Sequence, residues 1–180
     1  MSATKRSRGC ILIGPPGAGK STVGGLLARE LGVPFLDTDF IIEESTGKKV
    51  SQIFIEDGEA KFREIEESIV LQSIKERASN QSQPVVLALG GGSILSERVQ
   101  EVLRDRDDVI YLDVSLASAA PRVGFNRERP LLMINPRQQW QELMNHRRPI
   151  YQSLASATVD TNDKNPEIVA LEIEKILEAA

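Results

Sequence analysis

The sequence predicts an α/β protein of three layers, α/β/α, in which helices cover both faces of a five-stranded parallel sheet. Short apolar segments alternate with amphipathic helical segments along almost the whole chain. A glycine-rich loop lies between the first strand and the first helix, and this is a common place for ligands to bind in α/β folds. The 180 residues, of which 41% are hydrophobic and 27% charged, suit a single globular domain.

Five strands are predicted from short runs of apolar residues bounded by glycine, proline or charged residues. They cover residues 10–13, 34–36, 84–89, 109–112 and 157–159. After the first strand, Val23, Leu26, Leu27 and Leu31 form one stripe of a helix that begins at Lys20.

The other helices follow from the same periodicity. Residues 40–79 are helical in pieces, with breaks near Gly47 and Gly58. Two further helices are predicted at residues 136–155 and 166–179. Asn165 is the expected N-cap of the last one, because asparagine accepts hydrogen bonds from the first turn.

Charge and composition exclude several classes of function. The 22 Lys and Arg residues against 26 Asp and Glu residues give a net charge of −4, which is unsuited to a broad nucleic-acid or anionic-membrane surface. The apolar runs are too short to span a bilayer. The single cysteine, Cys10, stands in an apolar strand and is expected to be a buried thiol. We therefore expect a cytoplasmic monomer that binds small molecules, and neither nucleic acid nor membrane.

Residues 14–21, GPPGAGKS, match the phosphate-binding pattern GxxxxGK[ST] in full, between a predicted strand and a predicted helix. Backbone N–H groups of such a loop converge on phosphate oxygens, and the helix N-terminus adds partial positive charge. Lys20 supplies a cation for the β- and γ-phosphates, and the Ser21 hydroxyl is a Mg²⁺ ligand. The predicted nucleotide-binding residues of this loop are Gly14, Gly17, Ala18, Gly19, Lys20, Ser21 and Thr22.

Sequence features outside the loop exclude some classes of nucleotide-dependent protein. The GTPase specificity motif NKxD is absent, and the third strand ends in glycines rather than in an acidic residue. Asp37, at the end of the second strand, is the nearest acid and is our candidate for the outer shell of Mg²⁺. An aspartate before a helix is also a good N-cap, so two roles are open to Asp37.

Several further motifs, taken together, resemble the shikimate kinase family from residue 9 to residue 177. They are DTDFIIE at 37–43, GEAKFREIE at 58–66, LGGG at 89–92, RPLL at 129–132 and HRRPIY at 146–151. The phosphate-binding loop alone is generic, whereas this combination in this order is specific. The resemblance implies a fold of the nucleoside-monophosphate-kinase type, with a helical acceptor-binding insertion at about 38–65 and a lid at about 122–136.

The same resemblance assigns an acceptor site for shikimate, a cyclic carboxylate with three hydroxyls. It places Asp39 on the ring hydroxyls, Arg63 and Arg147 on the carboxylate, and Gly90, Gly91 and Gly92 where the main chain approaches the ring. An arginine fork matches a carboxylate bidentately. In isolation the sequence favours a different role for Arg63, that of an exposed helix residue that pairs with nearby glutamates such as Glu66, three residues on.

Lid and adenine residues are assigned in the same way. Arg129 matches the lid arginine that offsets charge during phosphate transfer, and Arg127 is close enough to share that role. Arg122 matches the residue that covers the adenine with Asn165 and Pro166, although a solvated helix end is also open to it.

Three residues near the last motif remain to be assigned. Arg147 is followed by Arg148, and we assign the carboxylate to Arg147 from its distance to Pro149. His146, the only histidine, is expected at the surface, and Trp140 is expected to pack its helix.

The predicted reaction is Mg²⁺-dependent transfer from ATP to shikimate, which gives ADP and 3-phosphoshikimate. Another small-molecule kinase on this scaffold, such as a gluconate kinase, is the alternative enzyme. A non-catalytic module that senses ATP through the loop is the alternative of another class.

Overall fold

The computed structural model describes residues 8–79, 83–123 and 135–179. Its five strands form one parallel sheet in the order β2-β3-β1-β4-β5, which confirms the predicted sheet. The strands are β1 Ile11–Ile13, β2 Phe35–Asp37, β3 Val86–Ala88, β4 Val109–Asp113 and β5 Ala157–Asp160.

Helices connect the strands and lie on both faces of the sheet. They are α1 Lys20–Leu31, α2 Thr38–Thr46, α3 Val50–Glu56, α4 Gly58–Ser79, α5 Glu97–Leu103, α6 Leu116–Val123, α7 Pro136–Leu154 and α8 Pro166–Ala179, with a 3₁₀ turn at Ser93–Leu95. Within the described ranges, no helix combines the length and apolar character needed to cross a membrane.

The three central strands, β1, β3 and β4, are buried on both sides, which is why they read as continuous apolar runs. Leu12 and Ile110 face a core that also contains residues of α1 and α8. Their neighbours Ile11 and Val109 face the other core, which contains residues of α4 and α5. The alternation of side chains along each strand therefore builds the three predicted layers.

A third and smaller core holds the region between β2 and the middle of α4. Ile42, Ile53 and Phe62 pack there, one each from α2, α3 and α4. Helix α4 then continues without interruption, and its residues Val70 and Ile74 lie in the core of the sheet. The predicted insertion at 38–65 thus shares its last helix with the main body.

Two helices, α5 and α6, were not predicted as such from the sequence. Helix α5 begins after Ser96, whose Oγ accepts a hydrogen bond from the backbone N–H of Val99 at 3.2 Å. Helix α6 includes residues 122 and 123, so the predicted lid range begins inside a helix. Its central part, 124–134, lies outside the described residues, and α7 begins at Pro136.

Candidate functional site

The loop between β1 and α1 has the backbone that its glycines predict. Gly17 and Gly19 adopt positive φ angles of 81° and 88°, which L side chains rarely tolerate. A Cβ at Gly17 would also lie 2.7 Å from Cγ2 of Val123. The loop lines a cavity of about 390 Å³, together with Ser21 and Thr22 at the start of α1.

The ammonium of Lys20 is held over this loop by two backbone carbonyls. Its Nζ donates to the oxygen of Gly14 at 2.7 Å and to that of Pro15 at 3.1 Å. The side chain is half-buried and lines the cavity, so the positive charge is already at the mouth of the predicted phosphate site.

Asp37 fills the capping role that the sequence left open, and it also contacts Ser21, the other residue predicted to bind Mg²⁺. Its Oδ1 accepts a hydrogen bond from the N–H of Asp39 at 3.0 Å and so caps α2. Its Oδ2 accepts a hydrogen bond of 2.5 Å from the hydroxyl of Ser21. Strand β2 and helix α1 thus bring a carboxylate and a hydroxyl together at one edge of the cavity.

This pair of oxygen donors fits Mg²⁺ rather than a protein-enclosed metal. Mg²⁺ binds through one or two protein oxygens and otherwise through phosphates and water. In the part of the chain that the structure describes, no cluster of three or more His, Cys, Asp or Glu residues is arranged to hold a metal ion. Ser21 and Asp37 suit a cation that arrives with a nucleotide.

The far end of the cavity is formed by α6 and the start of α8. The guanidinium of Arg122 donates to the carbonyls of Gly17, at 3.3 Å, and Thr161, at 2.9 Å. Asn165 Oδ1 accepts from the N–H of Glu167 at 3.1 Å, as its predicted capping role requires. Pro166 lines the cavity as Arg122 does. The exposed side chain of Arg122 therefore bridges the glycine-rich loop and Thr161, which directly follows β5.

A second group of polar residues surrounds the turn at residues 90–92. A Cβ at Gly90 would lie 2.6 Å from Oδ1 of Asp39 and 2.6 Å from Oε1 of Glu66, so both carboxylates press against the backbone there. The N–H of Gly90 donates to Oγ1 of the buried Thr38 at 2.9 Å. Asp39 also lines the cavity of the glycine-rich loop, so the two groups of residues adjoin.

Arg63 combines the two interpretations that its sequence position allowed. It forms an ion pair with the buried Glu66 and a longer one, at 3.3 Å, with Glu59. Its guanidinium also packs over the ring of Phe62, 5.2 Å from the centroid. A Cβ at Gly92 would lie 2.6 Å from the central guanidinium carbon, so Arg63 faces the glycine turn while glutamates hold it.

Glu66 is 2% exposed, and this burial raises the pKa of its carboxyl above the ordinary value, while the nearby Arg63 opposes the rise. The folded state therefore holds the proton of Glu66 more tightly than the unfolded state does. Stability from this group is complete below the unfolded pKa of about 4.3 and is lost as the pH rises through the folded pKa.

We predict that Glu66→Gln removes this pH dependence. The free energy of unfolding of the unmodified protein, minus that of the variant, should fall as the pH is raised from about 4.3, because only the wild-type group must lose a proton. Urea denaturation at a series of pH values measures the difference. A rise with pH would contradict the prediction.

The adjacent Glu67 provides the matched control, because its contribution to stability should depend on pH with the opposite sign. A hydrogen bond from Ser96 to its carboxylate, at 2.7 Å, lowers the pKa of Glu67. The same difference for Glu67→Gln should therefore fall as the pH is lowered through the folded pKa of Glu67.

The two adjacent arginines of α7 contact different parts of the structure. Arg147 is 8% exposed, and its Nη1 donates to the carbonyl of Gly91 at 3.2 Å. Arg148 instead pairs with Asp113 at 3.3 Å. A Cβ at Gly91 would lie 3.2 Å from the carbonyl oxygen of Gly14 in the glycine-rich loop. The turn at 90–92 therefore contacts the first group of residues on one side and an inward-facing arginine on the other.

Most of the predicted site residues are thus brought together around two adjoining parts of one cleft. Arg129 and Arg127 lie outside the described residues. His146 is exposed and Trp140 is buried in the core, as expected. Thr38, Thr161 and Tyr151 contact the site but were not singled out, although Thr38 and Tyr151 lie within motifs that were.

Comparisons with known proteins agree with this geometry. A family model described as shikimate kinase matches residues 16–178. A shikimate kinase of Thermobifida fusca (strain YX) is 50% identical over 170 residues, which cover 94% of this chain and 95% of the relative.

Solved structures give the same result. The shikimate kinase of Acinetobacter baumannii in complex with shikimate superposes with a TM-score of 0.87 at 34% identity, covering 97% of this chain and 95% of that chain. A gluconokinase from Sinorhizobium meliloti 1021, at 20% identity and a TM-score of 0.56, covers 97% of this chain and 94% of that chain and shares the fold alone.

Proposed function

The chain belongs to the shikimate kinase family, and we propose that it transfers the γ-phosphoryl group of ATP to the 3-hydroxyl of shikimate. The products are 3-phosphoshikimate and ADP, in the route to chorismate and the aromatic amino acids. One observation carries this proposal: the glycine turn at 90–92 contacts the phosphate-binding loop and the inward-facing residues Asp39, Arg63 and Arg147.

The first part of the cleft binds ATP. Backbone N–H groups of residues 14–19 and the positive end of α1 hold the phosphates, and Lys20 leaves the carbonyls of the loop to reach the β- and γ-phosphates. The base lies at the far end of the cavity, between the Arg122 guanidinium and Pro166 with Asn165.

Ser21 and Asp37 would hold a Mg²⁺ ion that arrives with the nucleotide, and such an ion would supply positive charge to neutralise the phosphate oxygens. The 2.5 Å hydrogen bond between Ser21 and Asp37 keeps both oxygens at one point on the cavity edge.

The second part of the cleft binds shikimate. Arg63 and Arg147 hold its carboxylate, and Gly90, Gly91 and Gly92 allow the ring to approach the main chain. Asp39 orients the 3-hydroxyl and accepts its proton as the oxygen bonds to the γ-phosphorus. The bond from that phosphorus to the bridging oxygen breaks and ADP leaves. Since the transition state is loose, positioning and charge matter more than a strong base.

We propose that Arg129 supplies positive charge to the site when both substrates are bound. This role rests on the RPLL motif of the sequence, within the proposed lid at about 122–136. An arginine placed at the transferring phosphoryl group stabilises the charge that develops there.

One copy of the chain supplies every described residue of both parts, so we propose that the monomer is the active form. We further propose that it acts in the cytoplasm, where ATP is available as its phosphate donor.

Arg63→Lys should raise the KM for shikimate about tenfold, with the KM for ATP unchanged, because lysine loses the planar fork that matches a carboxylate. Steady-state kinetics with each substrate varied in turn measures the split. Arg98→Lys is the control, since Arg98 also pairs with a glutamate, at 2.7 Å, but is exposed. Equal effects on both substrates would identify Arg63 as a structural residue.

Phosphate transfer by the purified protein tests the proposed function directly. ADP release should depend on shikimate in the presence of Mg²⁺-ATP, and should not be stimulated by gluconate or nucleoside monophosphates. Stimulation by gluconate instead would make the protein a different kinase. ATP binding with no acceptor-dependent release would make it a sensor.

A further inference from the structure

The carbonyl of Gly91 is held by two buried side chains of α7. The hydroxyl of Tyr151 donates to it at 2.5 Å, and Nη1 of Arg147 donates to it at 3.2 Å. Tyr151 is 0% exposed, so this hydroxyl has no access to bulk water and its hydrogen bond has a fixed direction.

The ring that carries this hydroxyl is itself fixed. It stacks on Tyr111 of β4 with centroids 5.1 Å apart and an interplanar angle of 16°. The hydroxyl of Tyr111 donates to Asp113 Oδ1 at 2.6 Å, and Asp113 pairs with Arg148. Burial raises the pKa of both tyrosines, so each hydroxyl remains a hydrogen-bond donor throughout the physiological range.

Fixing the carbonyl of Gly91 also fixes the N–H of Gly92. The peptide unit is planar and trans, so the two groups point in opposite directions. Since the carbonyl points towards α7, the N–H points away from it. Among the hydrogen bonds of the described residues, none uses the N–H of Gly92 as a donor. A Cβ at Gly92 would lie 2.6 Å from the central guanidinium carbon of Arg63, so Gly92 borders the acceptor side of the turn.

We propose that Tyr151 is a positioning residue for the acceptor: it holds the Gly91–Gly92 peptide so that the Gly92 N–H donates to bound shikimate. This inference rests on the proposed function and adds a residue to it. Arg147 alone cannot do the same, because the proposed carboxylate contact draws its guanidinium towards the substrate. Tyr151 keeps the peptide oriented in both the free and the bound state.

Tyr151→Phe tests this by removing one oxygen atom while leaving the stacked ring in place. The KM for shikimate should rise about fivefold, the loss expected for one net hydrogen bond, with the KM for ATP unchanged. Tyr111→Phe is the matched control. It removes the hydroxyl of the other ring of the same stack, which does not contact Gly91, and should leave both KM values unchanged.

A purely structural role makes a different prediction. It would lower the melting temperature of both variants alike. The KM for shikimate and the KM for ATP would then either stay unchanged or shift together. No change in the KM for shikimate, or the same change in Tyr111→Phe, overturns the proposal.

A measurement on the wild-type chain is independent of how the variant folds. When shikimate is added to ¹⁵N-labelled protein without nucleotide, the amide proton resonance of Gly92 should move downfield, and that of the remote Gly47 should not. An unmoved Gly92 resonance in protein that phosphorylates shikimate overturns this inference alone. Absence of transfer overturns the proposed function itself.

Discussion

Lys20→Ala should lower kcat about 10²- to 10³-fold while the protein stays folded, the range seen when a single charge-stabilising donor is removed. In the structure this ammonium already lies at the mouth of the cavity, held by the carbonyls of Gly14 and Pro15. Its charge is needed most as the γ-phosphoryl group transfers, so the loss should exceed any rise in the KM for ATP.

Single-turnover phosphate transfer with saturating ATP measures this effect on the chemical step. Thermal unfolding shows whether the fold is intact. Lys61→Ala is the control, because Lys61 is an exposed lysine of α4 that pairs only with Glu64 among the described residues, at 2.9 Å. Near-normal turnover of Lys20→Ala would show that Lys20 takes no part in phosphate transfer.

Asp39→Asn should lower kcat about 10²- to 10⁴-fold, because the amide can orient a hydroxyl but cannot take its proton. The carboxylate of Asp39 lies beside Gly90, next to that of Glu66, and on the wall of the phosphate cavity. This position, between the two parts of the cleft, places Asp39 beside the point where the proposed function puts the attacking oxygen.

The pH profile of kcat distinguishes proton transfer from binding alone. The acidic limb of that profile should disappear in the asparagine variant. Glu44→Gln, which changes an exposed carboxylate on the same helix, should retain both the rate and the profile. Retention of the wild-type rate by Asp39→Asn would leave Asp39 with a binding role only.

Much of this fold could be predicted from the sequence because its strongest signals are local. Strands buried on both faces are runs of apolar residues, and the GPPGAGKS loop specifies its own backbone. Helices α5 and α6 were missed because they are short, at 7 and 8 residues, and too brief to display a clear periodicity.

Of the candidate site, only the charged residues and glycines that lie in recognisable motifs could be predicted. The glycine-rich loop and Asp37 follow from the sequence pattern itself, whereas Asp39, Arg63 and Arg147 were assigned through the family resemblance of their motifs. Tyr151 was not identified, because its contact with Gly91 joins residues 60 positions apart and gives no local pattern.

Helix α4 has a consequence for how the acceptor side can respond to its ligand. The helix carries Arg63 and Glu66 near one end and is anchored in the sheet through Val70 and Ile74. With 22 residues it is about 33 Å long, and the two regions lie on one continuous hydrogen-bonded rod. The Arg63 side of the acceptor site is therefore rigid at its base, and within the insertion it is α2 and α3, rather than α4, that can adjust to the incoming acid.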